Sequence, residues 1–274
     1  MEEKVVLSTE SKLPPAKNKK PSKAKKIVST VLSVVWVSVL TVIVSASSQI
    51  IYNYSRYSSF FVNGESMYPT LNANVTYEGS WKYPEERGFW GDFNHAGTYI
   101  CDYGLMDDKP GFLEGMKRFD VAVTYYPKDY VSGVLSGTAE LKIKRLIGLP
   151  GETLYFDEGG ELYVNGEHVE QTFSTFQKER TIYKNGSLKA NYGVKTSDTD
   201  KSITLSQNQY FVVGDNRNYN ASEDSRFIGP IDSKCIQGRA VALTASCKFE
   251  VKNGQTSSSI IWNTMKMPWD IKKL

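Results

Sequence analysis

From Ile27 to Ser55 the chain carries no Asp, Glu, Lys or Arg, and Val, Ile and Leu dominate the stretch. As a helix rising ~1.5 Å per residue, Ile27 to Tyr52 would be longer than the ~30 Å hydrocarbon layer of a bilayer. Its Ser and Thr residues are compatible with that setting, because their hydroxyls can bond back to helical carbonyls. Trp36 lies inside the run, whereas Tyr52, Tyr54 and Tyr57 stand where an outer aromatic belt would be. The run therefore predicts a transmembrane helix over 27–52. A cleaved export signal is the rival reading, since Ser45-Ala46-Ser47 offers small residues for cleavage. An export h-region, however, is typically only ~7–15 residues.

What precedes the run is basic. Lys17, Lys19, Lys20, Lys23, Lys25 and Lys26 crowd a stretch that also holds Pro14, Pro15 and Pro21. Like charges and prolines bury too little apolar surface to offset ordering entropy, so residues 1–26 read as a disordered basic tail. No lysine follows the run until Lys82. The positive-inside rule then puts the N-terminus in the cytoplasm and residues 53–274 outside, in a single-pass cell-membrane protein. The whole-chain net charge of +3 is small and gives no reason to expect a nucleic-acid partner. The three cysteines Cys101, Cys235 and Cys247 are an odd number, and spacing alone allows Cys235 and Cys247 to pair across neighbouring strands. His95 and His168 have no ligand-like neighbours and no C-x-x-C occurs, so no metal site is expected.

Beyond the run the patterning is mainly β. Phe119 to Tyr126 is β-branched and aromatic and ends at Pro127. Glu161–Val164 and Glu167–Val169 flank Asn165-Gly166, a pair suited to the positive φ angles of a type I′ hairpin turn. Gln209–Val213 and Ala240–Ala245 read as further strands, and no long amphipathic helix follows the span. Residues 72–117, aperiodic, and 171–205, polar, read as insertions. At the C-terminus Ile260, Ile261, Trp262, Met265, Met267 and Trp269 could lie on a membrane surface or cover the β core.

Four stretches carry residues with chemistry. Asn63-Gly64-Glu65-Ser66-Met67-Tyr68-Pro69-Thr70-Leu71 is by itself a turn that presents a serine, a weak nucleophile without an adjacent base. In Leu141 to Glu152, strand alternation sets Lys142, Lys144 and Leu146 on one face and Leu141, Ile143, Arg145 and Ile147 on the other. A lysine turned into an apolar core loses solvation, so that part of it is neutral and can act as a base. An exposed strand lysine is the commoner case when such a motif stands alone. The Asp120 strand is the third stretch. Gly214 to Gly229, dense in Asp, Asn, Arg and Ser, is the fourth and reads as a hydrogen-bonded loop.

In this order, after a membrane span, the set closely resembles the bacterial type I signal peptidase family. The S-M-x-P-T-L block matches at Ser66 to Leu71, K-R-(apolar)-(apolar)-G-x-P-G-(acidic) at Lys144 to Glu152, and G-D-N-R … S-x-D-S-R-x-x-G at Gly214 to Gly229. The resemblance implies a signal-peptidase-like β-sheet or β-barrel ectodomain behind one helix, and a serine endopeptidase that needs no cofactor. It makes Ser66 the nucleophile and Lys144 the general base, with Lys142 outside the matching block. Ser222 would orient the lysine amine, Asp224 and Arg226 would support the loop, and Arg145 and Asp215 would form an ion pair. The partners it implies are signal-peptide-bearing precursors, the lipid bilayer and the export translocon. Lys117-Arg118-Phe119-Asp120 departs from the family's Arg-Gly-Asp, two extra residues lie between Arg217 and Ser222, and Gly64 stands where some relatives have an oxyanion-binding serine. A non-catalytic relative serving surface-fibre assembly is the alternative, and retention of both Ser66 and Lys144 argues against it. A self-cleaving Ser/Lys repressor would need a helix-turn-helix domain, and endoplasmic-reticulum signal peptidases have His at the Lys144 position.

Overall fold

A computed structural model describes residues 22–62, 64–72, 76–79, 97–173, 183–184, 187–188, 192–195, 200–217, 221–252, 255–261, 264 and 272–274. The chain forms two units, Met1–Asn53 and Tyr54–Leu274. Helix α1 (Lys23–Arg56) contains the whole charge-free run and is long and apolar enough to cross a membrane. Its apolar side chains point all round and are exposed, from Ile27 through Trp36 and Val42 to Ile51, as in a helix that needs an apolar medium. The hydroxyls of Thr30, Ser33, Ser38 and Thr41 donate to carbonyls four residues back at 2.8–2.9 Å. These four hydroxyls are thus satisfied within the helix. Most of the basic tail lies outside the described residues, and its last lysines, Lys23, Lys25 and Lys26, already belong to the helix.

The second unit is built of strands. In chain order these are β1 (Ser58–Phe61), β2 (Thr76–Gly79), β3 (Gly97–Asp107), β4 (Val121–Thr124), β5 (Tyr130–Val131), β6 (Val134–Leu135) and β7 (Lys142–Gly148). Then come β8 (Thr153–Phe156), β9 (Leu162–Val164), β10 (Glu167–Val169), β11 (Tyr183–Lys184), β12 (Ser187–Leu188), β13 (Val194–Lys195), β14 (Asp200–Lys201) and β15 (Ile203–Thr204). The last are β16 (Gln209–Val213), β17 (Ile231–Asp232), β18 (Ile236–Lys252), β19 (Gln255–Ile261) and β20 (Lys272–Lys273), with a four-residue helix α2 (Ser225–Ile228) after β16. The larger sheet runs β1-β3-β18-β4-β7-β16-β17, with β2 on β3 and both β19 and β20 on β18. The smaller runs β10-β9-β8-β13-β14, with β15 on β8.

The Asn165-Gly166 hairpin forms as its sequence predicts, with φ of 51° and 86° joining β9 to β10. β16 covers Gln209–Val213, and Ala240–Ala245 lies inside the longer β18. The largest departure is β3, eleven residues within the stretch that reads as an insertion. Its place is set by pairing with β18 from Arg239↔Asp107 to Val251↔Gly97, a long-range match that no local pattern in β3 announces. Gly104 makes part of that pairing possible: a Cβ there would meet the Ala242 carbonyl oxygen at 2.5 Å and the Phe60 ring at 2.7 Å. In the C-terminal stretch Ile260 and Ile261 end β19, while Trp262, Met265, Met267 and Trp269 lie outside the described residues.

Strand β7 sits between β4 and β16 and is buried on both faces from Lys144 onward. Leu146 packs with Ala122, Val212 and Ile231, and Ile147 packs on the opposite side with Leu154, Phe156 and Phe211. Replacing Gly104 by Ala should destabilise the domain by about 1–3 kcal/mol, because backbone rather than a flexible side chain blocks the new methyl. Thermal melting of the full chain in detergent checks this. Gly137→Ala, which meets nothing within 4 Å, is the control expected to leave the melting temperature unchanged.

Candidate active site

Ser66 lies in the turn that leaves β1. Met67 and Leu71, at 1% and 0% exposure, anchor it in the core with Val62 and Leu243, so the apolar residues of the motif hold the backbone while the serine side stays partly open. Asn72 clamps the turn from behind. Its amide nitrogen donates to the carbonyls of Val62 at 3.0 Å and Gly64 at 2.9 Å, and its own backbone N–H donates to Asp102 at 2.7 Å. From the other side the Asn216 N–H donates to the Ser66 carbonyl at 3.1 Å, and its side chain donates to the Glu65 carbonyl at 3.2 Å.

Lys144 comes from the centre of β7, flanked by Ala122 of β4 in register. Its Nζ is 2.8 Å from Ser66 Oγ and 3.0 Å from the Ile143 carbonyl oxygen. The residue is 3% exposed. Burial pushes the ammonium down to about 8; Asp224 opposes this through space and Lys142 reinforces it. Lys142 itself is half-buried and pairs with Glu140 at 2.6 Å, away from Ser66.

Arg145, the next residue, points to the other face of β7. Its Nε donates to Asp215 at 2.8 Å and its Nη1 to the Phe119 carbonyl at 2.6 Å, while Thr70 also bonds Asp215. Asp215 is fully buried and Arg145 6% exposed, so this is a buried ion pair that ties the serine turn, β7 and the Gly214 loop together. The Phe173 ring covers the guanidinium at 4.4 Å, and Phe119 packs on Phe173 at 4.9 Å between centroids. Phe119 holds a φ of 75°, a conformation in which a glycine is at ease and a phenylalanine is strained. The family pattern has glycine at this position of the Arg-Gly-Asp block.

In the Gly214 loop, Asp224 collects the donors. Its carboxylate accepts from the Gly214 N–H at 3.0 Å, from Ser222 Oγ at 2.7 Å and from Arg226 Nε and Nη2 at 2.8 Å each, and it caps α2. Burial works against its charge, yet Arg226 and these donors hold the carboxyl below the usual range. The Ser222 hydroxyl therefore donates to Asp224, while the hydrogen bonds of Lys144 run to Ser66 and Ile143. Ser222 reaches the surroundings of Ser66 across Gly214: a Cβ on that glycine would overlap both Ser222 and the Ser66 carbonyl. Arg217 is 1% exposed, donates to the Gly214 carbonyl and to Gln171, and is pushed down to about 9 by burial.

Ser66, Lys144, Arg145, Asp215, Ser222, Asp224 and Arg226 are thus linked by contacts through β7, the serine turn and the Gly214 loop, whereas Lys142 is not. Residues the sequence reading passed over are Asn72, Asn216, Arg118 and Tyr126. Arg118 binds Glu152 and the Ile147 carbonyl, fixing the turn after β7, and the Tyr126 hydroxyl donates to the Glu223 carbonyl. Asn216 and Arg118 stood inside or beside recognised blocks, so proximity to a motif was the available signal. Asn72 and Tyr126 gave none. Among the described residues no group of three His, Cys, Asp or Glu side chains is arranged to hold a metal ion.

Residues 31–245 match the family described as signal peptidase, peptidase S26. Signal peptidase I V of Bacillus subtilis is 41% identical over 96 residues, 35% of this chain and 53% of that protein. Signal peptidase I of Bacillus licheniformis is 35% identical over 147 residues, 51% of this chain and 72% of that protein. This chain thus spans about half the length of the B. subtilis relative. A solved signal peptidase I from Enterococcus faecalis is 27% identical, with coverage of 45% of this chain and 95% of that one at a TM-score of 0.32.

Asp215→Ala would leave the Arg145 guanidinium buried without its carboxylate, and the expected loss of stability is about 3–5 kcal/mol. Denaturant unfolding measures it. A loss no larger than that of an exposed change such as Glu140→Ala would contradict the buried-pair assignment.

Proposed function

Because the chain belongs to the signal peptidases of family S26, we propose that it is a membrane-bound serine endopeptidase that removes signal peptides from exported precursors, with Ser66 as nucleophile and Lys144 as general base. The observation that carries this reading is the 2.8 Å approach of a buried lysine amine to a serine hydroxyl. A lysine near 8 is about one-tenth neutral at pH 7, against well under a thousandth for a free one. Geometry and proton affinity therefore agree.

The neutral Lys144 amine takes the Ser66 proton as Oγ attacks the scissile carbonyl carbon. The new C–O bond forms, and the tetrahedral oxyanion accepts a hydrogen bond from the Ser66 N–H. The ammonium then returns the proton to the departing amine as the peptide C–N bond breaks. Water, deprotonated by the same lysine, cleaves the acyl ester and restores Ser66. Arg145 and Asp215 position β7, while Ser222, Asp224 and Arg226 position the loop behind Ser66. In this reading Ser222 acts through Asp224 and the packing at Gly214 rather than by a direct bond to the amine.

The apolar helix anchors the enzyme, with the N-terminus cytoplasmic by its lysines and the peptidase unit on the outer side, where precursors emerge from the export translocon. About fourteen residues separate Tyr52 from Ser66, a tether of at most tens of ångströms. Tethering raises the local concentration of enzyme around membrane-held cleavage sites without further contacts.

Detergent-solubilised protein should cleave a precursor bearing an Ala-x-Ala site. Ser66→Ala should reduce cleavage to background and Lys144→Ala should lower it at least about a hundredfold, both with wild-type circular dichroism. Undiminished cleavage by Lys144→Ala removes the dyad. A base works deprotonated, so kcat/KM should rise with pH through about 8 and fall away below it. A limb near the free lysine value of about 10.4 would contradict the buried base.

A further inference from the structure

Cys101 and Cys247 are in-register partners on the antiparallel strands β3 and β18. Directly opposed residues of such a pair have Cα atoms ~4.5 or ~5.5 Å apart, and both spacings fall inside the range a disulfide spans. Their side chains share a face of the sheet, and the Cys247 thiol donates to the Lys248 carbonyl at 3.7 Å. The Cys101 sulfur also lies 3.5 Å from the Cys247 carbonyl oxygen. Cys235 is excluded as a partner. It sits just before β18 and packs in another part of the core, roughly 35–40 Å along the strand from Cys247 at ~3.3 Å per residue. All three cysteines are free thiols in the structure, and the strand places Cys101, not Cys235, opposite Cys247.

We propose that Cys101 and Cys247 form a thiol-modification site, closing to a cross-strand disulfide by exchange with a small-molecule disulfide as the chain folds. The exchange belongs to folding because each finished residue is only 2% exposed. Either thiolate can attack first. With Cys247 leading, its sulfur bonds one sulfur of the small disulfide, the reagent's S–S bond breaks, and a small thiol leaves with the proton Cys247 released. Cys101 then attacks the Cys247 sulfur, the mixed disulfide breaks, and a second small thiol leaves with the Cys101 proton. Two protein thiols are oxidised and one small disulfide is reduced to two thiols.

The position gives the bond a consequence for the enzyme. Register shifts interrupt the β3–β18 ladder between Ala240 and Ala242 and between Leu243 and Ala245. The cysteines lie just beyond the second shift, so their bond would pin the register there. Asp102, next to Cys101, exchanges hydrogen bonds with Asn72, which holds the Ser66 turn. The disulfide would thus brace the strand from which the nucleophile turn is clamped.

The test is cell-free synthesis of the full chain into detergent micelles, with oxidised and reduced glutathione or with dithiothreitol, followed by denaturation, alkylation and peptide mapping. The glutathione sample should contain a peptide linking Cys101 to Cys247 with Cys235 alkylated, and the link should be absent with dithiothreitol. Its melting temperature should exceed that of the reduced sample by about 5–10 °C. A Cys101→Ser, Cys247→Ser double variant should melt at the same temperature in both buffers. Should that variant not fold, the wild-type peptide map still decides. Three alkylated cysteines after glutathione, or any bridge through Cys235, would overturn the proposal.

Discussion

An amine kept out of water beside a hydroxyl is the constraint around which this domain is arranged. Burying the ammonium of Lys144 is costly, and the cost shows as a lowered proton affinity because, among the described residues, no carboxylate hydrogen-bonds the amine. The neighbouring charges are satisfied elsewhere. Asp215 is taken by Arg145 on the opposite face of the strand, and Asp224 by Arg226, Ser222 and the Gly214 N–H. Had either acid reached Lys144, the pair would have been locked in its charged form and lost as a base. Two adjacent cations on one strand thus meet opposite requirements, one paired and one left alone, because β alternation sends them to different sides.

The same strand explains why the site is rigid. β7 is covered on both faces and hydrogen-bonded on both edges, by β4 and by β16. The serine, by contrast, comes from a turn, and a turn holds its position only through the groups that bind it. Asn72 and Asn216 supply those bonds from opposite sides, and the buried Met67 and Leu71 supply the packing. The 2.8 Å distance between Ser66 and Lys144 is therefore the product of a fixed strand and a clamped turn.

Features set by local chemistry were legible in the sequence. The apolar run, the Asn165-Gly166 hairpin and strand β16 follow from charge, positive φ and β-branched content read over a few residues. The Ser66, Lys144 and Gly214–Gly229 blocks were legible jointly, through family resemblance and order along the chain. Features set by distant partners were not. Strand β3 contains Gly97, Gly104 and two aspartates, and it is a strand because β18 pairs with it. The bond of Ser222 to Asp224 rather than to Lys144, the clamp of Asn72 and the partner of Cys247 all depend on register and loop placement. A linear sequence does not display these.

Phe119 and Phe173 each look like a separate departure from the family: one replaces a glycine, and the other begins a polar excursion. In space they are a single feature, since the Phe119 ring rests on Phe173, the Phe173 ring lies over the Arg145 guanidinium, and the Phe119 carbonyl accepts from Arg145. Once Phe173 is in place, the aromatic side chain at 119 has a surface to cover that offsets its unfavourable backbone, and without Phe173 only the strain remains. The excursion and the altered Arg-Phe-Asp block are therefore coupled in this chain through one ring contact, so a change in either reaches the cover of the buried ion pair.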